Sequence, residues 1–196
     1  MGWGREEEAD AAAERLLDAA GRVFEEKGVL AARMVDVAEA AGCSRGTLYR
    51  YFPDGDALRQ AFVDREARRV GRHVAADIDR LRRPDRRLVG VVESSLAHVR
   101  AEPILMAWFT PEAATTTGLV AARTEVVSGM VDAFLVDLFS TADPAAGFVP
   151  RVDHREAAEW VVRVIQSLLA QPADDERALL EHFLVPALFD RELSRR

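Results

Sequence analysis

Apolar residues recur along this chain at spacings of three and four, the period of a helix with one face turned inward. Leu16, Leu17, Ala20, Val23 and Phe24 form such a stripe and predict a first helix from about Ala9 to Lys27, ended by Gly28 just past its last turn. Met34, Val37, Ala38 and Ala41 predict a short second helix, and Gly42 breaks it. Ser44 can cap a third helix, Arg45 to Phe52, by accepting a hydrogen bond from a first-turn amide, with Leu48 and Phe52 as its inward anchors. Pro53-Asp54-Gly55 is a turn, and Asp54 caps a fourth helix from about Asp56 to Leu81. At 1.5 Å per residue that helix spans roughly 40 Å, enough to leave one small domain and enter another.

Pro84 opens a fifth helix to about Ala101, and a short segment follows from Pro103 to Thr110. Further helices are expected at about 118–140, 154–170 and 174–190, with TADPAAGFVP as a loop and Pro186 kinking or shortening the last helix. Strand signals are almost absent. The fold class is therefore all-α, with an N-terminal three-helix domain over residues 1–55 and a C-terminal helical domain over 56–196, the fourth helix joining them.

Composition narrows the setting. With 196 residues, 49% of them hydrophobic, the chain can build a real core in one or two domains. A formal net charge of −7 argues against a generally basic coat, but not against a small basic surface. The single cysteine, Cys43, excludes an internal disulfide and suits a reducing compartment, and it reads as a small turn or core residue. The opening MGWGREEEAD lacks the apolar run of a signal peptide, and no apolar stretch reaches the ~18 residues of a membrane span. The expected location is cytoplasmic, with no membrane partner.

Against that acidic background, GCSRGTLYRYF (Gly42 to Phe52) carries two arginines, two tyrosines and no acid. The second helix, the turn and the third helix form a helix-turn-helix, whose second helix enters the major groove N-terminal end first. Arg45 lies in the first turn, where a guanidinium can make two hydrogen bonds to guanine. Gly46 allows close approach to a base edge, and Thr47 can bond a base or a phosphate. Tyr49 and Tyr51 offer phenolic donors at phosphate height, and Arg50 is near enough to reach either partner. With Ser44 and Arg33 these complete the candidate DNA-binding set.

Residues 15–58, above all the run DVAEAAGCSRGTLYRYF, resemble the N-terminal domain of the TetR family of transcriptional regulators. The resemblance implies a homodimer on a near-palindromic double-stranded operator, usually as a repressor, with a small-molecule pocket and the dimer interface in the C-terminal domain. It places Thr47, Tyr49 and Tyr51 at phosphates or nearby bases, and Arg45, Gly46 and Arg50 toward the groove. Two departures matter. The family often has a hydroxyl residue at the start of the second helix, where this chain reads AARM, Ala31 to Met34, with Ala32 in the gap. It often has a lysine after the recognition helix, where this chain has Gly55. Both remove phosphate contacts and predict a shallow salt dependence. Arg33 is the nearest replacement.

The C-terminal part carries no motif. Residues 157–170 and 178–189 are apolar around most of the helical circumference, so each helix should be buried on more than one side. The chain's own core supplies one face, and a two-fold partner is the simplest supply of the other. Val161, Ile165, Leu168, Leu180, Leu184 and Leu188 are the candidates for that interface. Met106, Trp108 and Phe109 surround a helix break, and Met130, Phe134 and Trp160 lie on helices able to face them. With His98, Arg163 and Gln166 as the polar groups, these outline a mostly apolar pocket for a small-molecule effector. No cofactor is expected, and His73, His98, His154 and His182 are too scattered for a helical metal site. No nucleophile motif or Walker-type loop supports an enzyme. The alternatives are an activator or ligand-independent DNA-binding regulator, and, in another class, a helical binding protein or enzyme without DNA binding.

Overall fold

The computed structural model describes residues 3–109, 125–142 and 148–190. Its elements run α1 (Trp3–Lys27), α2 (Met34–Ala40), α3 (Arg45–Tyr51), α4 (Gly55–Ile78), α5 (Pro84–Arg100), α6 (Pro103–Met106), α7 (Glu125–Ser140), β1 (Val149–Pro150), α8 (His154–Ala170), α9 (Glu176–Leu179), a π-helical turn Leu180–Leu184, α10 (Val185–Leu188) and β2 (Phe189–Asp190). Of the long helix expected from residue 118, only α7 lies within the described residues. Helix α1 starts ahead of its apolar stripe, because the Glu- and Ala-rich residues before that stripe are strong helix formers.

Local chemistry sets the boundaries. Gly28 and Gly42 adopt φ of 81° and 65°, the left-handed conformation that ends α1 and α2 and that a side chain would strain. Asp54 caps α4 by accepting from the Ala57 amide at 2.7 Å, and Asp153 caps α8 by accepting from the Arg155 amide at 2.9 Å.

One feature departs from the all-helical reading. Val149 and Pro150 pair antiparallel with Asp190 and Phe189, in a stretch expected to be loop and helix end. A pair two residues long leaves no alternation in sequence. It is held by Phe189, whose ring meets Phe139 and Phe148 edge to face at 5.5 and 5.8 Å. As expected at Pro186, the last helix is irregular and shortened: it widens into a π turn immediately before Val185 and Pro186 and ends at Leu188. Pro186 has no amide to give to the ladder, which accounts for the local irregularity.

There are two main cores. The first gathers Leu16, Phe24, Val37 and Leu48 from α1 to α3, and also Leu58 and Phe62 of α4 with Leu105 and Trp108 beyond α5. The N-terminal core is thus completed by side chains from past residue 55. The second core lies between α5, α7, α8 and the C-terminal segment. Val161, Leu168, Leu180, Leu184 and Leu188 are all inside it, 0–5% exposed, which corrects their assignment to a partner-facing surface. They pack against the chain's own helices; Ile165 is half-buried. Among the described residues of the C-terminal bundle, the exposed large apolar side chains are Val136 at 46%, Trp160 at 48% and Phe183 at 72%. Arg100 clamps the C-terminal segment to α5, donating to both Glu176 carboxylate oxygens at 2.6 and 2.8 Å and to the Leu168 carbonyl at 2.9 Å.

Candidate nucleic-acid interface and interior cavity

Helix α2, the tight turn and α3 stand on one side of the N-terminal core. The Cys43 amide donates to the Ala38 carbonyl at 3.0 Å, closing the turn over Gly42. Ser44 Oγ accepts from the Thr47 amide at 3.0 Å and lies 2.9 Å from Thr47 Oγ1, so cap and first helical turn are locked together. Leu48 is wholly buried and Phe52 is 7% exposed; these two side chains seat the helix. Their burial turns Arg45, Gly46, Tyr49 and Arg50 outward, while Thr47 and Tyr51 are half-buried. Tyr51 rests on the core, and the Arg50 guanidinium lies 5.2 Å from its ring centroid. Neither Arg45 nor Arg50 has an ion pair among the described residues, so the outward face carries two uncompensated cations.

Arg33 is different. Its guanidinium and backbone amide both turn onto Asp36, at 3.0–3.2 Å, and Lys27 approaches the same carboxylate at 3.1 Å. The Arg33 and Lys27 hydrogen bonds hold the Asp36 carboxyl far below the usual carboxylate range. Arg33 therefore fixes the start of α2 and is not the free cation expected there. At the other departure, a Cβ on Gly55 would come within 3.2 Å of Arg59 Nη1. The Arg59 guanidinium, paired with Asp56 at 2.6 Å, lies beside the site where a longer residue 55 would leave the backbone. Arg59 stands one helical turn beyond Gly55, and that spacing was the available signal for it.

A cavity of about 460 Å³ lies between α4, α5, α7, α8 and the segment 105–109. Trp108, Phe109, Met130, Phe134 and Gln166 line it, as expected. Four other expected residues do not. His98 sits on the outer side of α4 and α5, 2.9 Å from Asp77, which also accepts from Ser94 at 2.6 Å. Those two hydrogen bonds, the Ser94 one first, lower the Asp77 pKa. The His73 ring lies 4.9 Å from that of His98, a proximity their distant positions in sequence conceal. Met106 packs against the second core, Trp160 faces outward, and Arg163 pairs at 3.4 Å with Glu159 on the exposed side of α8.

The wall missing from the sequence reading is α4. Val63, Ala67, Val70, Val74 and Ile78 line the cavity at spacings of four, three, four and four. That stripe was visible, but arginines crowd the other positions and disguise the helix as a solvated one. Between these residues, Gly71 leaves a notch that the thioether end of Met130 enters; a Cβ there would overlap it.

Among the described residues, four side chains bring hydrogen-bonding groups to this hydrocarbon wall: Glu66, Ser95, Gln166 and the indole of Trp108. Glu66 is 7% exposed. Its carboxylate accepts from Arg65 Nε at 3.0 Å and Arg69 Nε at 2.7 Å. Arg65 also donates to Asp18 of α1 at 2.7 Å, and Arg69 to Glu102 at 3.1 Å. An apolar joint runs alongside. Phe62 and Trp108, on the cavity wall, lie parallel 6.0 Å apart, and each meets Phe24 of α1 edge to face, at 5.2 and 5.7 Å.

Among the described residues, no group of three or more His, Cys, Asp or Glu is placed to hold a metal ion. No helix among them is long and apolar enough to cross a membrane.

Residues 16–62 match the model for bacterial regulatory proteins of the tetR family. The chain is 41% identical over 187 residues to the HTH-type transcriptional regulator Rv1255c of Mycobacterium tuberculosis, covering 94% of this chain and 89% of the relative. Solved structures share the fold at lower identity. RolR in complex with resorcinol superposes with a TM-score of 0.69 at 21% identity, over 93% of this chain and 90% of RolR. FadR of Bacillus subtilis in complex with stearoyl-CoA gives 0.59 at 16% identity, over 88% and 95%.

Proposed function

The chain belongs to the tetR family of bacterial regulatory proteins and is a DNA-binding transcriptional regulator, and from that premise we propose that it is a repressor released from its operator by a small, largely apolar effector held in the cavity. The observation that carries this reading is the path of α4. Helix α4 leaves the turn after α3, joins the N-terminal core through Leu58 and Phe62, and then forms one wall of the cavity. A molecule that spreads this wall at the end nearest α1 presses on Phe62 or Trp108, and both pack on Phe24 of α1. The effector can shift the protein between DNA-competent and released forms only by binding the released form more tightly.

On the operator, the N-terminal end of α3 enters the major groove. Arg45 reads a base edge, with Gly46 allowing the approach; Arg50 reaches base or phosphate; Thr47, Tyr49 and Tyr51 hold the backbone. Arg59 is the cation we assign to the phosphate left by the absent lysine, its guanidinium leaving Asp56, whose side chain is 81% exposed, to make that contact. Two of the structural relatives carry resorcinol and stearoyl-CoA. For this chain, a wall made almost wholly of hydrocarbon favours a molecule with a substantial apolar body.

The test is direct. Duplexes selected from a random pool give the operator, and affinity for that operator is then measured with and without each compound that binds the cavity. A bound compound that weakens operator binding, together with reporter expression that rises when the gene is deleted, supports a ligand-released repressor. Tight binders that all leave operator affinity unchanged, or expression that falls on deletion, overturn it.

A second copy of the chain supplies the other α3 for a two-fold operator. We assign its contact to the outer face of α8 and the C-terminal segment, around Trp160 and Phe183. Both lie outside the core, so Trp160→Glu with Phe183→Glu should keep the fold while shifting the protein to monomer in sedimentation and weakening operator binding. A double variant that sediments as the wild type would place the interface elsewhere.

A further inference from the structure

Glu66 stands where an apolar cavity and a polar cleft share a wall. On one side lie Val70, Val74 and Phe134; on the other, Arg65 and Arg69 approach from the cleft between α1 and α4. We propose that Glu66 selects the effector by its headgroup, admitting apolar molecules that end in a hydrogen-bond donor and rejecting those that end in a carboxylate. The inference rests on the reading of the cavity as the effector site.

A buried carboxylate accepts hydrogen bonds and offers none. Of its roughly four lone-pair positions, Arg65 Nε and Arg69 Nε take two, which leaves acceptor capacity for a donor from the cavity. A hydroxyl or an ammonium meets that capacity. An anionic headgroup instead faces a like charge at close range in an apolar surrounding, where repulsion is least screened. The arginines do not offset this, since both are turned to acids. Arg65 is shared between Glu66, Asp18 and Glu14, and Arg69 between Glu66 and Glu102. Among the described residues, the other polar groups on the wall, Ser95, Gln166 and the Trp108 indole, are neutral, so they add no preference by charge.

A donor on Glu66 also has a mechanical consequence. A donor at Oε1 shares the oxygen that accepts from Arg65 and weakens that bond, and Arg65 is the residue tying α4 to Asp18 of α1. Headgroup recognition thereby loosens the ionic joint while the apolar body presses on Phe62 and Trp108.

The experiment compares 1-decanol, decylamine and decanoate, three probes with one hydrocarbon body, at pH 7 on the full-length protein. Binding is read by calorimetry and by tryptophan fluorescence, Trp108 being on the wall. The expected result is decanoate binding about tenfold or more weaker than the other two, with Glu66→Gln reducing that gap to about threefold or less. Decanoate binding as tightly as decanol overturns the proposal without any variant being made, and so does a folded Glu66→Gln protein that keeps the wild-type ranking. If none of the three probes binds, the cavity is not an effector site, and both readings fall together. Binding without discrimination removes the headgroup rule alone and leaves the effector reading standing.

Discussion

Arg45→Ala is expected to lower affinity for the selected operator by about 2–6 kcal/mol, roughly 30-fold to 10⁴-fold, while changing binding to a scrambled duplex far less. The range follows from one bidentate arginine–guanine pair, about 1–3 kcal/mol, made once in each of two half-sites. Fluorescence anisotropy with both duplexes at one fixed salt concentration measures it, because backbone binding alone varies steeply with salt. Arg45 is exposed at the start of α3 and unpaired among the described residues, so its removal leaves no buried charge behind and the fold should be unaffected. Equal losses on the two duplexes would reassign Arg45 from base reading to phosphate binding. No loss on either would remove α3 from the groove.

The second large effect is expected at the aromatic joint. Phe62 is 1% exposed and touches both Phe24 and Trp108. Phe62→Ala takes a ring out of a packed site and should cost about 3–5 kcal/mol of stability. In a chain of this length each kcal/mol corresponds to roughly 2–4 °C, so the thermal midpoint followed by circular dichroism should fall by about 6–20 °C. The milder Phe62→Leu separates packing from signalling. It keeps most of the apolar volume and should bind operator as the wild type does, yet lose much of the effector-driven release, since a flexible side chain absorbs the displacement that a ring passes on. A Phe62→Leu protein released by effector like the wild type would show that the joint fills space and transmits nothing.

How far these features were legible in the sequence depends on how local their cause is. The helix-turn-helix was readable because each part has a nearby reason: Gly42 for a left-handed turn, Ser44 for a cap, Leu48 and Phe52 for seating. The ion pair of Arg33 was not read, although Asp36, the partner of its guanidinium, lies only three residues on. Part of the cavity was readable, from Trp108, Phe109, Met130, Phe134 and Gln166. The α4 wall was passed over because its valines alternate with arginines whose own destinations, Asp18 and Glu102, are far away in sequence. The leucines of the C-terminal segment show the same limit from the other side. Helical patterning marks which residues avoid water, but it does not tell an intramolecular neighbour from a second copy, and Leu180, Leu184 and Leu188 proved to face inward.

The notch at Gly71 bears on how many different compounds such a protein can answer. A methionine tip seated in a hollow behaves as an adjustable plug: three rotatable bonds and a soft sulfur let it withdraw or advance at little cost. The chamber therefore has no single capacity, and homologues differing by a carbon or two should elicit graded responses rather than an all-or-none choice. Filling the hollow with alanine would freeze the plug outward and sharpen that response to a narrower span of chain lengths.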